Sequence, residues 1–250
     1  EIRLSLVGSE MCIRDRLKMG SRRMNDGRTE PRRPLSAPGR VKEVTSVSNP
    51  IVKSIRNLAM RKTREETGLF MAEGLKLVFD ALEAGWKIDT LIVSRNQLAD
   101  SPHLTRAAAR TVAAGADVLE ASDKVLAAIS RRDNPQPAIG VFRQHLADLP
   151  SLDLGKDGLV VALDRVRDPG NLGTILRTAD AAGVKGVVLI GDTVDPFSLE
   201  AVRATMGSIF SVPVVRMGEV AFLKWRTGFK GLVAGTHMDG TVDYRKPDYA

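Results

Sequence analysis

The chain has one cysteine, three histidines and only 4% aromatic residues in 250 positions. A lone thiol, Cys12, cannot close an internal disulfide, and three scattered imidazoles beside it fit no usual zinc spacing. A reducing, cytoplasmic setting without a structural metal is therefore expected. Long apolar runs are lacking too. Stretches such as residues 159–163 and 187–190 fall far short of the roughly 18 residues that span a bilayer, so no transmembrane segment is expected. Neither Gly-x-Gly-x-x-Gly nor Gly-x-x-x-x-Gly-Lys-Ser/Thr follows a predicted strand, which disfavours a nucleotide-binding doubly wound domain. What remains is 43% apolar and 27% charged, a globular composition with room for one large or two modest domains.

The net charge of +7 is unevenly spread. Residues 1–64 hold 16 Lys and Arg against 6 Asp and Glu, whereas residues 65–250 hold 21 against 24. A cationic segment on a near-neutral body suits a phosphate-backbone ligand, because each neutralised phosphate releases counterions. A solvated tail is the alternative. Residues 1–40 lack sustained periodicity and collect Arg, Pro, Gly and Ser, so a disordered basic tail is expected there. The opening Ser-Leu-Val-Gly-Ser-Glu-Met-Cys-Ile-Arg-Asp-Arg tract, residues 5–16, has no signal-peptide core and reads as a translation scar outside the fold.

From about residue 44 the pattern changes. Asn49-Pro50 can open a helix with Ile51, Val52, Ile55, Leu58 and Ala59 on one face and Lys53, Arg56, Arg61 and Lys62 exposed. These four cations are candidate RNA contacts. Strands predicted over 69–72, 88–94, 117–120 and 138–143 alternate with helices of 8 to 14 residues, indicating a small α/β domain over 41–145. Residues 146–157 read as a linker. A second domain, 158–250, has near-continuous apolar strands at 159–164, 186–191, 212–216 and 232–236 joined by helices, which implies a parallel sheet covered on both faces. Ligands of such sheets bind beyond the strands' C-terminal ends, which draws attention to the loops 164–171, 191–198 and 236–240.

The first loop reads Asp164-Arg-Val-Arg-Asp-Pro-Gly-Asn171-Leu-Gly173-Thr-Ile-Leu-Arg177. Asn171 can cap the helix, leaving its start open to an anion, and Gly173 lets a ligand approach. Arg177 lies about 1.7 turns on, which leaves the two on different sides unless the helix entry bends. On this reading alone, Asn171 as a plain cap and Arg177 as a solvated arginine stay open.

This tract resembles the first motif of the SpoU (TrmH-type, SPOUT superfamily) RNA 2′-O-ribose methyltransferases. The likeness continues through Arg177-Thr-Ala-Asp-Ala-Ala-Gly183, Val187-Val-Leu-Ile-Gly191, Asp195-Pro-Phe-Ser198, Ala201-Val-Arg203-Ala-Thr-Met-Gly207-Ser-Ile-Phe210 and Gly235-Thr-His-Met-Asp-Gly240. Residues 42–143 are similar to the L30-type substrate-binding domain that precedes the catalytic domain in that family.

The resemblance implies methyl transfer from S-adenosylmethionine to a ribose 2′-hydroxyl of rRNA or tRNA. It implies Arg177 and Asn171 as catalytic residues, with Gly235, Thr236 and His237 where the methyl donor touches the protein, His237 having no role as a base. Arg203 either extends the RNA-facing surface or is an exposed helix arginine. The family continues beyond Gly240 with glycine-glutamate and Ser-Leu-Asn segments that complete a knot, most of the donor pocket and a homodimer interface. The chain stops at Ala250, so a parallel-sheet knot-type domain truncated before the knot is expected. A noncatalytic RNA-binding protein that has lost its donor site is the other reading.

Overall fold

Asn49 accepts the Ile51 N–H at 2.9 Å and so caps α1 (Pro50–Asn57), with Pro50 in the first turn, where its missing N–H costs nothing. The computed structural model describes residues 3–5, 39–155, 158–237, 239–240, 242–243 and 245–246. In it the basic helix expected over 51–62 is two helices, α1 and α2 (Arg61–Thr67). Arg64 accounts for the break. Its Nη1 donates to Leu58 O at 2.8 Å and Ala59 O at 2.9 Å, taking carbonyls that a continuous helix would use itself.

Four strands follow the expected alternation with little change of bounds, β2 (Leu69–Glu73), β3 (Ile88–Ser94), β4 (Asp117–Ala121) and β5 (Ala138–Arg143), and a further strand, β1 (Val41–Val44), precedes them. Between them run α3 (Leu75–Glu83), α4 (Pro102–Ala113) and α5 (Asp123–Ser130). The sheet order is β1-β4-β3-β5-β2, parallel across β1, β4 and β3 and antiparallel from β3 to β2. β1 was not anticipated, because its Val-Lys-Glu-Val carries too short an alternation to stand out.

A second sheet is built from β6 (Val160–Asp164), β7 (Gly186–Ile190) and β8 (Val214–Met217), in that order and all parallel. Its helices are α6 (Pro169–Ala181), α7 (Leu199–Thr205) and α8 (Glu219–Gly228). The five residues of β7 are all buried, as their unbroken apolar run requires. The expected linker lies against this sheet: Ala147 N donates to Val214 O at 2.8 Å and Leu149 is buried.

The expected strand over 232–236 is a correction. Only Gly235–Thr236 is extended, and it pairs antiparallel with Arg3–Ser5, which also pairs with Val242–Asp243. It therefore stands outside the parallel sheet. Of the expected basic tail, residues 1–2 and 6–38, Cys12 among them, lie outside the described residues, whereas residues 3–5 form a strand. The described residues from 39 to 222 form one unit, and residues 3–5 with those from 223 onward form another.

Within the first unit the two sheets share a core. Phe197, Val202, Ile209 and Phe210 join Phe70, Leu77, Leu91 and Phe142 in one apolar cluster, with the Phe70 and Phe197 rings 4.8 Å apart. Two ion pairs cross the same seam: Arg64 with Asp195, and Arg203 with Glu73. Packing of α6 on α7 depends on Gly173. A β-carbon there would lie 2.3 Å from Ala204 Cβ and 2.6 Å from its carbonyl carbon. Gly173→Ala is expected to destabilise the chain by about 1–3 kcal/mol in urea unfolding, because the clash involves backbone that cannot swing aside.

Candidate active site at the strand ends

The C-terminal ends of β6, β7 and β8 are knit by backbone hydrogen bonds. Arg165 N donates to Ile190 O at 3.0 Å, Val194 N to Val166 O at 2.8 Å and Gly191 N to Met217 O at 3.0 Å. Two of the loops singled out from sequence thus form one surface. Asp195, in the second loop, accepts Phe197 N at 2.9 Å through Oδ1. Its Oδ2 accepts Arg64 Nε at 2.8 Å and Nη2 at 2.7 Å. The two side chains are 4% and 9% exposed, so this charge-assisted fork is shielded from water and salt.

Arg64 fixes α2 beside these strand ends. The Arg61 guanidinium is raised above its ordinary value, first by its hydrogen bond to Glu65 and further by the charges of Asp195 and Asp192. Glu65 is held below the ordinary carboxylate value by Arg61 first, with Arg216 contributing. Arg61, one of the candidate RNA contacts, therefore lies near the loop that follows β7.

Asp168, not Asn171, caps α6: its Oδ1 accepts Asn171 N at 2.6 Å. Asp-Pro is the stronger start signal, since Pro169 fits the first helical position and Asp168 is spaced to reach the third. This overturns two expectations. The anion site at the helix start is filled by the chain's own carboxylate, and the Asn171 side chain is released from capping and exposed. Gly173 serves the packing of α7 rather than a ligand.

On α6, Leu172, Gly173, Leu176 and Ala179 are buried, and Asn171, Thr174, Arg177 and Thr178 are exposed. At 100° per residue Asn171 and Arg177 stand about 120° apart, at the two margins of that solvent-facing stripe, with about 9 Å of rise between them. Both are open to solvent, and, as their spacing implies, they point to different sides of the helix. Thr174 and Thr178 turn their hydroxyls back to Gly170 O and Thr174 O. Arg177 has no ion pair or hydrogen bond among the described residues.

The remaining candidates separate. Lys53 and Arg56 are on α1, and neither is in an ion pair among the described residues. Arg61 and Lys62 are on α2, each paired one turn on, to Glu65 at 2.8 Å and Glu66 at 3.8 Å. Arg203 is corrected. It is not a free exposed helix arginine: its Nε donates to Glu73 Oε2 at 2.7 Å and its Nη2 to the same oxygen and to Ser130 O. Glu73 is 1% exposed, and a buried carboxylate of that kind needs a partner. Gly235, Thr236 and His237 lie in the other unit. Thr236 and His237 are exposed, and His237 Nδ1 accepts Asp239 N at 3.2 Å.

Sequence reasoning missed Arg64 and Glu73. Arg64 sits among Arg61, Lys62, Glu65 and Glu66, where composition gives no sign that one arginine turns inward.

Residues 49–140 match a family model described as the MRM3-like substrate binding domain, and residues 158–249 match the SpoU rRNA Methylase family. A 23S rRNA (guanosine(2553)-2′-O)-methyltransferase of Bacillus subtilis is 30% identical over 206 residues, covering 82% of this chain and 77% of that protein. A 23S rRNA (uridine(2479)-2′-O)-methyltransferase of Streptomyces viridochromogenes is 31% identical, covering 74% of this chain and 66% of that protein. The crystal structure of an AdoMet-bound rRNA methyltransferase from Sinorhizobium meliloti is 52% identical, covers 84% of this chain and 77% of its own, and superposes with a TM-score of 0.76.

The capping assignment has a simple check by thermal or urea unfolding. Asp168→Ala is expected to cost about 1 kcal/mol, whereas Asn171→Ala leaves stability within about 0.5 kcal/mol.

Proposed function

The chain belongs to the SpoU rRNA Methylase family, and from that premise we propose that Arg177 and Asn171 carry its methyl transfer to a ribose 2′-hydroxyl of RNA. S-adenosylmethionine is the methyl donor of this chemistry. The sulfonium already carries a good leaving group, so the demand on the protein falls on the acceptor. A ribose hydroxyl is a poor nucleophile until its proton leaves or its developing charge is stabilised.

A guanidinium, with a pKa above about 12, makes a poor general base at neutral pH. Arg177 instead grips the phosphate next to the target sugar and stabilises the incipient alkoxide, and Asn171 orients the ribose by hydrogen bonding. The observation that carries this is that the Asn171 and Arg177 side chains are both exposed on α6 without an ion pair or side-chain hydrogen bond among the described residues, Asn171 relieved of capping by Asp168. Preorganisation of this kind needs a helix that does not move, and Gly173 against Ala204 supplies the close packing.

Lys53, Arg56, Arg61 and Lys62 bind the RNA backbone alongside, in the domain over 41–145. A homodimer and a cytoplasmic setting complete the reading. Val220, 82% exposed on α8, offers apolar surface to a second copy. Among the described residues no helix is long and apolar enough to cross a membrane.

Arg177→Ala is expected to abolish transfer of radiolabelled methyl from S-adenosylmethionine to rRNA while RNA affinity stays within a few-fold. Unchanged turnover would remove Arg177 from the mechanism. Charge reversal at Lys53, Arg56, Arg61 and Lys62 is expected to weaken RNA binding and flatten its salt dependence, as read by fluorescence anisotropy between low and moderate salt.

A further inference from the structure

The loop between β6 and α6 holds two arginines that the reading above leaves without a task. Arg165 is one of three non-glycine residues with positive φ, at 50°, among the described residues. That left-handed conformation is costly for a residue with a β-carbon and persists where the surroundings impose it. Here its N–H is tied to Ile190 O and the next residue's carbonyl to Val194 N, so the loop cannot relax. The conformation turns the side chain along Gly191, whose β-carbon position lies 3.4 Å from Arg165 Cγ. At its tip the guanidinium forms a fork with Asp164, Nε to Oδ1 at 2.9 Å and Nη2 to Oδ2 at 2.7 Å.

Both side chains of that fork are more than half exposed, at 56% and 55%. An exposed pair contributes little to stability, so a strained loop is not explained by the stability of the pair it presents. A phosphate offers the same planar fork a competing acceptor. Arg167, two residues on, is exposed and has no ion pair or hydrogen bond among the described residues. It precedes the Asp168 cap of the helix that bears Asn171 and Arg177.

We propose that Arg165 and Arg167 form a second phosphate-gripping element of the RNA site, holding the backbone beside the target nucleotide, with Asp164 occupying Arg165 until RNA displaces it. The proposal rests on the reading of the chain as an RNA methyltransferase and adds to it the residues that hold the strand between α2 and α6. The location agrees with the other cations. Arg61 on α2 lies within electrostatic reach of Asp192 and Asp195 in the neighbouring loop, so backbone contacts can run from α2 across the strand ends to Arg177.

The test is binding of a fluorescein-labelled RNA stem-loop to the 250-residue chain, measured against salt concentration. Arg165→Gly, which keeps the left-handed backbone, combined with Arg167→Ala is expected to make the plot of log affinity against log salt shallower by about 1.4 to 1.8, the share of two phosphate contacts. Asp164→Asn removes the internal competitor and is expected to tighten binding about twofold or more. An unchanged slope in the double variant, or weaker binding by Asp164→Asn, overturns the proposal while leaving the methyltransferase reading in place. Absence of salt-dependent RNA binding by the parent chain overturns both. Circular dichroism and urea midpoints matching the parent verify that the variants are folded.

Discussion

One buried guanidinium sets the relation between the two sheets. Arg64 spends three of its donors in a site closed to water: two go to the Asp195 carboxylate, and one is shared between the carbonyls that end α1. Bringing both charges out of water costs several kcal/mol per ion, and their attraction offsets this only with good geometry. Such a pair is therefore weak evidence for added stability and strong evidence for a fixed arrangement. With either partner removed, the other is left buried and uncompensated. The arrangement it fixes is α2 beside the loop that follows β7 at the end of the parallel sheet.

Arg203 with Glu73 repeats the device a short distance along the same seam, between α7 and the end of β2. Both pairs cross from a charged residue of the first sheet's domain to the segment 195–203 of the second. Phe197, Val202, Ile209 and Phe210 fill the space around them with apolar surface from that same stretch. A segment that reads as a catalytic-domain motif is in this way also the main connection to the substrate-binding domain. α6 is held in turn by the close approach of Gly173 to α7, so the helix bearing Asn171 and Arg177 takes its position from the seam.

Much of this was legible from sequence, and the exceptions have physical causes. Strands 88–94 and 138–143 were read to the residue, because apolar runs bounded by polar turns carry a strong local signal. The single helix over 51–62 failed because its break is imposed by a tertiary contact of Arg64, which no local pattern encodes. Asn171 was read as a cap because Asn is a good one, yet Asp168-Pro169 stands earlier and wins the position. Arg203 was read as exposed because its buried partner lies 130 residues away. The strand over 232–236 failed for another reason: its apolar run specifies extension but not which sheet edge it joins, and only Gly235–Thr236 is paired.

The most direct test of the central claim is a double-mutant cycle on Arg64→Ala and Asp195→Ala, read from unfolding free energies in urea. The account expects each single change to cost about 3–5 kcal/mol and the double variant to be less destabilised than their sum by about 1–3 kcal/mol, because the second change removes a stranded charge. Additive effects within about 0.5 kcal/mol would contradict it, and the two sheets would then be held together by apolar packing alone.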